Sequence, residues 1–530
     1  MSSRTTKYFQ DKLMCGICGI VDLRESGASL SKLQSMNRAV AHRGPDDEGF
    51  ALFAEDGDVA MPSNETWLEN GKKYCVGLGH RRLSILDLSP RAHQPMFDQS
   101  RQYCIVYNGE IYNYKELRKE LVSRGYKFES DSDTEVVLAS YRAWGIECQN
   151  KFNGMWALAI YDIKNKILFC SRDRFGVKPF YYFVGNNCLV FGSEIKQLVE
   201  YLGYRAEVEE KILADFFLWG YEAHTEKTFF KNILCLPQSH YILTDIRNLR
   251  RETFAPIRYW RHEPQAALPM DSAIQRFKEL FVEAVNIRLR SDVPVGVTLS
   301  GGLDSSSVAC VMAELREKRP QKTVPKMFTA VFPDLGFSEK HYADAVVEKT
   351  RFNHFCVSPE AADIEKDWRR FVWHMEEPFG GLAYFSNWKI YQKAREENTP
   401  VILNGQGGDE LLLGYERYRV AYLKILLKKG SLLKASQEML NARTRANMPL
   451  FKQLAFQFYF AIPGIRSLRR SLLVKPYLKP DFFHSYKKQN FSLIDEITNK
   501  NLVEMQEKEF FNYQLQHLLR HEDRVSMAHS

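Results

Sequence analysis

Leu299-Ser300-Gly301-Gly302-Leu303-Asp304-Ser305-Ser306-Ser307 decides how this chain is read. The preceding Val293-Pro294-Val295-Gly296-Val297-Thr298 is apolar enough for a buried strand, and Val308 to Leu315 reads as a helix. Strand, small-residue turn and helix is an arrangement that grips phosphate. Adjacent glycines let backbone approach an anion closely, and the free N–H groups and dipole at a helix start favour negative charge. Ser300, Ser305 and Ser306 add hydroxyl donors, and Asp304 can hold a divalent ion. The spacing and the missing lysine exclude a Walker A loop. An ordinary Gly/Ser turn with Asp and Ser capping the helix fits the same residues. The stretch alone leaves both readings open.

Working outward, Met327 to Phe332, His354 to Val357 and Thr399 to Leu403 read as further strands, separated by helices at Ser338 to Thr350 and Ala362 to His374. This alternation predicts an open α/β region with a parallel sheet. The last strand ends in Asn404-Gly405-Gln406-Gly407-Gly408-Asp409-Glu410. Two acid-bearing glycine turns thus follow strands, and ligands collect at such carboxyl ends. Upstream of residue 200 the pattern changes to many strands with few helices, which predicts an α+β domain on antiparallel sheets. Asn108-Gly109 reads locally as a hairpin turn.

A chain of 530 residues is too long for one core, so two or three domains are expected. The formal charge of +8, from 73 basic and 65 acidic residues, is modest at this length and does not argue for nucleic acid or a membrane surface. Leu426 to Lys429 and Arg466 to Leu473 carry the main basic patches, which read as solvated helix faces, with membrane-surface or nucleic-acid contact the alternative. No run of about 18 apolar residues is present, so no transmembrane segment is expected. Ten cysteines are irregularly spaced, and Cys15-Cys18 has no second pair at zinc-finger spacing. A reduced, cytoplasmic setting is expected.

Motifs in the first half give the reading its chemistry. They are Met14-Cys15-Gly16-Ile17, His42-Arg43-Gly44-Pro45-Asp46, Arg82-Leu83-Ser84, Asn108-Gly109-Glu110-Ile111-Tyr112-Asn113 and Ser132-Asp133-Thr134-Glu135. In this order they resemble the glutamine amidotransferase domain of the glutamine-hydrolysing asparagine synthetases. Ser300 to Ser305 resembles that family's SGGxDS loop. The resemblance implies an α+β αββα sandwich of the N-terminal-nucleophile type followed by an α/β parallel-sheet ATP-pyrophosphatase domain. It implies Cys15 as the thiolate nucleophile, Asn108 and Gly109 as the oxyanion hole, Arg82 on the glutamine carboxylate, and Glu110 and Asp133 on its α-amino group. A planar guanidinium suits a carboxylate, and amide transfer needs such a nucleophile and such donors. In the second half it implies Leu299, Ser300, Gly301, Gly302, Asp304, Ser305, Val331, Asn404 and Gly405 around ATP. Asp304 and Asp409 would hold Mg2+ and pyrophosphate, with Glu376-Glu377-Pro378-Phe379 near the acceptor.

The implied reaction adenylates the aspartate β-carboxylate with ATP, and ammonia from glutamine, carried through an internal tunnel, displaces AMP. The expected partners are small molecules: glutamine and aspartate or another carboxylate acceptor. No nucleic acid is expected, and a homodimer is open. The expected divisions are 1–13 as a leader or mis-assigned start, 14–215 as the amidotransferase, 216–270 as a connection and 271–530 as the synthetase. The chemistry needs a free α-amine on Cys15, so translation from Met14 with loss of that methionine is expected. Gln406 stands where the family carries an acid and cannot act as a base, which leaves room for a peptide, sugar-acid or secondary-metabolite carboxylate as acceptor. Leu518 to Ser530 resembles a helix that is internal in relatives, so a truncated chain, and with it a non-catalytic one, is also open.

Overall fold

The structure, a computed structural model, describes residues 15–62, 72–203, 206–249, 254–263, 266–318, 324–332, 339–445, 449–462, 465, 472, 477–487 and 501–529. The leader, Met14, Ser530 and nearly all of the basic patch at 466–473 lie outside these residues.

The first half is built on two antiparallel sheets. Its strands are β1 (Gly16–Asp22), β2 (Asp47–Ala54), β3 (Val59–Ala60), β4 (Tyr74–Arg82), β5 (Met96–Phe97), β6 (Tyr103–Ile111), β7 (Gly154–Asp162), β8 (Ile167–Arg172), β9 (Tyr181–Gly185), β10 (Cys188–Gly192), β11 (Leu234–Cys235), β12 (His240–Asp245) and β13 (Ile257–Arg258). One sheet runs β11-β9-β10-β1-β4-β2-β3 and the other β13-β12-β8-β7-β6-β5. Residues 234–258, expected to lie in a connection, thus supply the edge strand β11 to one sheet and β12 and the edge strand β13 to the other. Ile17, Val76 and Phe191 of the first sheet share a buried cluster with Val106, Ala157 and Cys170 of the second. The helix Leu30–Ala39 packs Leu33 and Met36 against Ile20 and Phe50 of the first sheet, and Ile195–Leu202 adds Leu198. The helices Tyr114–Ser123 and Asp133–Trp144 pack Leu117, Leu121, Val136 and Val137 against Ile105 and Leu158 of the second.

The Asn-Gly pair is not a turn. β6 runs straight through it, with Asn108 opposite Ala157 and Gly109 opposite Trp156. Pairing along all nine residues of β6 outweighs the local turn preference. Glycine is required because a Cβ at 109 would lie 2.2 Å from the Met155 carbonyl oxygen. The strand therefore delivers Asn108, Gly109 and Glu110 in sequence to one end of the sheet.

The second half carries four parallel strands, β14 (Val295–Thr298), β15 (Lys326–Ala330), β16 (Asn353–Val357) and β17 (Val401–Leu403), in the order β16-β15-β14-β17. β14 and β17 are neighbours, so the turns after them, 299–302 and 404–407, open side by side at the point where strand order reverses. The helix Gln514–Met527 returns across the molecule. Its Val525 and the following Ala528 pack with Phe371, Phe385 and Trp388, while Arg520, Asp523 and Arg524 reach the first half. Among the described residues no helix is long and apolar enough to cross a membrane.

Candidate active sites

The first site is a pocket at the ends of β1, β4 and β6. Cys15, Arg82, Asn108, Gly109, Glu110 and Asp133 all line it, together with Gln94, Tyr107 and Thr134. Arg82 closes β4, and the loop after it folds back over its side chain. Arg82 Nη1 donates to the Ser89 carbonyl at 2.9 Å, and Nη2 donates to that of Asp87. Two fixed carbonyls therefore aim the guanidinium. Asp133 opens the Asp133–Trp144 helix, and its Oδ2 accepts from Tyr107 Oη at 2.8 Å and the Ile111 N–H at 2.9 Å. Asn108 Nδ2 is buried and has no hydrogen-bond partner among the described residues. A buried amide without an acceptor is costly, so this donor suits an oxygen brought in by a ligand.

The electrostatics follow from burial. Burial pushes the Cys15 thiol up to about 11, so it is neutral near pH 7 and needs a base. Its Sγ meets the Leu83 carbonyl at 3.7 Å. Burial, with Asp133 nearby, pushes Glu110 up to about 8, and burial pushes Asp133 up to about 6. Two carboxyls held above their ordinary range gain most from a cationic ligand. Cys18, by contrast, is a fully buried core residue, and all ten cysteines are free.

The second site is a cleft of about 720 Å3 at the carboxyl ends of β14, β15 and β17. Leu299, Ser300, Gly302, Asp304, Ser305, Asn404, Gly405 and Asp409 line it. Gly301 and Val331 are not among the lining residues. Gly301 has φ +90° and its backbone turns against Glu339, where a Cβ would lie 2.7 Å from the carbonyl oxygen. The Val331 N–H donates to the Val357 carbonyl, and its neighbours Ala330 and Phe332 face the cleft. Ser300 N donates to Ser305 Oγ at 3.2 Å and Gly302 N to Ser300 Oγ at 3.1 Å, which shapes the turn before the Leu303–Lys318 helix.

Asp304 and Asp409 fit a magnesium ion. Burial and the neighbouring Asp409 raise the Asp304 carboxyl above its usual range, a repulsion that a divalent cation relieves. The space beside both carboxylates is kept by glycine. A Cβ at Gly408 would lie 2.3 Å from Asp304 Oδ2, and one at Gly414 would lie 1.9 Å from Asp409 Oδ1. No cluster of three or more metal-ligating side chains occurs among the described residues. That suits magnesium, which is held by one or two carboxylates plus substrate phosphates and water. Glu376 and Glu377, expected near an acceptor, face the first half. Glu376 accepts from the Lys196 N–H at 2.8 Å, and Glu377 accepts from Phe229 N–H at 3.0 Å and Arg520 Nη1 at 2.9 Å. Buried guanidinium groups at 520 and 524 require counter-charge there.

A third cavity of about 340 Å3 lies between the two sites. Ile85, Glu110 and Met155 line both it and the first pocket, and Asn404, Gln406 and Glu522 line both it and the cleft. Arg174, Lys178, Arg288 and Arg395 contribute to its wall. Beside it the two halves are joined by buried charge. Arg43 donates to Asp523 from Nη1 at 2.8 Å and Nη2 at 3.1 Å and to Glu194 at 2.9 Å, and Lys178 Nζ reaches Asp523 at 3.4 Å. Sequence reading assigned no role to Tyr391, Asn387 or Glu522. Tyr391 and Asn387 sit in a helix with no motif, Glu522 lies in the stretch from Leu518 that resembles a family helix without a role attached to it, and only the fold brings the three together.

Residues 14–260 match the glutamine amidotransferase domain family and residues 276–530 match the asparagine synthase family. A protein of Methanocaldococcus jannaschii named "Putative asparagine synthetase (glutamine-hydrolyzing) 2" is 35% identical over 441 residues, 78% of this chain and 78% of its own length. The chain belongs to the glutamine-hydrolysing asparagine synthetase family. Asparagine synthetase (glutamine-hydrolyzing) 1 of Bacillus subtilis is 31% identical over 413 residues, covering 77% of this chain and 60% of its own. Amidase chyE of Penicillium rubens, 31% identical over 398 residues, matches 72% of this chain and 55% of its own length. The match thus takes in under two thirds of these last two relatives, and the family includes proteins named for different reactions.

Proposed function

We propose that this chain makes asparagine from aspartate, ATP and glutamine, releasing AMP, pyrophosphate and glutamate. The observation that carries this reading is the run of three cavities with shared walls, from Cys15 through Glu110 and Asn404 to Asp304. The family membership supports it.

In this reading the first half is an αββα sandwich of the N-terminal-nucleophile type. Arg82 holds the glutamine carboxylate and Glu110 and Asp133 its ammonium. Cys15 Sγ attacks the side-chain amide, with the Cys15 α-amine as proton acceptor once it is free. Asn108 Nδ2 and the Gly109 N–H meet the developing oxyanion, where fixed donors act most strongly. In the second half ATP lies in the cleft along Leu299 to Ser305, Asn404 and Gly405. Asp304 and Asp409 hold magnesium, which when bound neutralises charge on the departing pyrophosphate. The aspartate carboxylate becomes an acyl-adenylate, and ammonia arriving through the middle cavity displaces AMP.

Gln406 at the mouth of the cleft favours a second reading, in which the acceptor is another carboxylate such as a peptide or sugar acid. Incubation with glutamine, ATP and aspartate, with asparagine and AMP quantified together, separates the two. Equal amounts of both products are expected. ATP turnover without asparagine rules out aspartate as the acceptor.

A further inference from the structure

Asn404, Gln406 and Glu522 are the residues that face both the middle cavity and the nucleotide cleft, and Glu522 is the one ionisable side chain among them. It comes from the Gln514–Met527 helix. Its Oε1 accepts from Tyr391 Oη and from Asn404 Nδ2 at 2.8 Å, and its Oε2 accepts from Asn387 Nδ2 at 3.2 Å. All three partners are neutral donors. Donors on both oxygens suit the ionised form, and a carboxylate offers about four lone-pair positions. One position, on Oε2, is therefore left without a donor among the described residues. Its neighbours in sequence are committed elsewhere: Asp523 pairs with Arg43, and Arg524 with Glu376.

We propose that Glu522 is the proton acceptor for the incoming nitrogen as the amide bond forms. The proposal rests on the amidation reading above. The ammonia lone pair forms a C–N bond with the acyl carbon of the acyl-adenylate. The nitrogen gives one of its three protons to Glu522 Oε2. The bond from acyl carbon to adenylyl oxygen then breaks, and its electron pair leaves with AMP. The amide keeps two N–H bonds, and Glu522 ends as the neutral acid. Tyr391, Asn404 and Asn387 are positioning residues that hold the carboxylate at the junction. Burial raises the Glu522 carboxyl above its usual range, which strengthens it as a base.

The test compares the full chain with Glu522→Gln, using L-aspartate, ATP and magnesium. Ammonium chloride replaces glutamine so that the first half is not probed. Three rates are read: aspartate-dependent ATP–pyrophosphate exchange, asparagine formation, and aspartyl hydroxamate formation from hydroxylamine. The hydroxylamine adduct is the more acidic and loses its proton to water without help. In the variant, exchange and hydroxamate should stay within about tenfold of the native rates, while asparagine falls by about 10²–10⁴-fold, the span of general-base catalysis. A parallel fall in all three rates means that Glu522 only supports the structure, and unchanged asparagine formation means that another group takes the proton. Either result overturns the proposal. Should Glu522→Gln fail to fold, judged by its thermal midpoint, Glu522→Asp takes the same three assays with the same outcomes deciding. A native chain with no aspartate-dependent exchange overturns the reading of aspartate as the acceptor, and this inference with it.

Discussion

Glu110 and Asp133 share one pocket with Cys15, and the pocket leaves its mark on all three. The folded value of Glu110, about 8, stands above the ordinary 4.5, so the fold favours the neutral acid. That contribution to stability is complete below the ordinary value and is lost as pH rises through 8. In the glutamine complex proposed above, the bound α-ammonium reverses the preference. Glutamine must then displace a proton at low pH, and its affinity should rise with pH. The KM for glutamine is expected to fall by up to about tenfold per pH unit between 6 and 8 and to level above 8, with Glu110→Gln flattening the profile. The nucleophile proposed at Cys15 is separable from the second half. Cys15→Ala should reduce glutamine-dependent product by about 10³-fold or more and leave ammonium-dependent product within about twofold, read by chromatography of the amide. These residues were legible because each lies inside a short motif. Arg82 was legible too, but not what aims it, since the carbonyls of Asp87 and Ser89 carry no side-chain signal.

At the scale of elements, β6 and the two glycine turns place the chemistry. The Asn108-Gly109 pair shows where local reading fails. A dipeptide preference of turn type yields to a full row of cross-strand hydrogen bonds, and the reason for glycine lies on the neighbouring strand at Met155. The four parallel strands were legible because each apolar run is short and bounded by glycine, proline or polar residues. The strands at 234–258 were placed in a connection, because nothing within such short runs says which sheet they join. The turn after β17 packs closely on Asp304. Gly408→Ala drives a methyl group into the Asp304 carboxylate and should reduce magnesium-dependent pyrophosphate release by about 100-fold, with hydrolysis of glutamine unchanged. A glutaminase assay beside a pyrophosphate assay checks both halves of this expectation. The magnitude corresponds to a displaced group in a positioned site.

Over the whole molecule, the Gln514–Met527 helix is the tie between halves. Burial would raise the Asp523 carboxyl, but Arg43 and Lys178 outweigh it and hold it below the usual carboxylate range. The stability it adds is present above the ordinary Asp value and is lost as acid protonates it. Arg43→Met leaves Asp523 and Glu194 without their shared guanidinium. The variant should lose about 3–5 kcal/mol in the first unfolding transition in urea, the usual effect of breaking a buried pair from one side. This network was not legible in the sequence. Arg43 sits in a motif, yet its partner lies 480 residues away, and no periodicity or composition links the two.

The middle cavity has a sign. Arg174, Lys178, Arg288 and Arg395 outnumber its acids, since Asp523 is cancelled by Arg43, Glu110 is neutral until a cationic ligand binds, and Glu522 stands at the far end. A passage with excess positive charge discriminates by protonation state: ammonium and hydronium are repelled, and uncharged ammonia is admitted. In the reading proposed above, nitrogen set free at Cys15 is thereby kept in the only form that can attack a carbonyl, and ammonium salts in the surrounding solution meet a barrier that ammonia released inside does not.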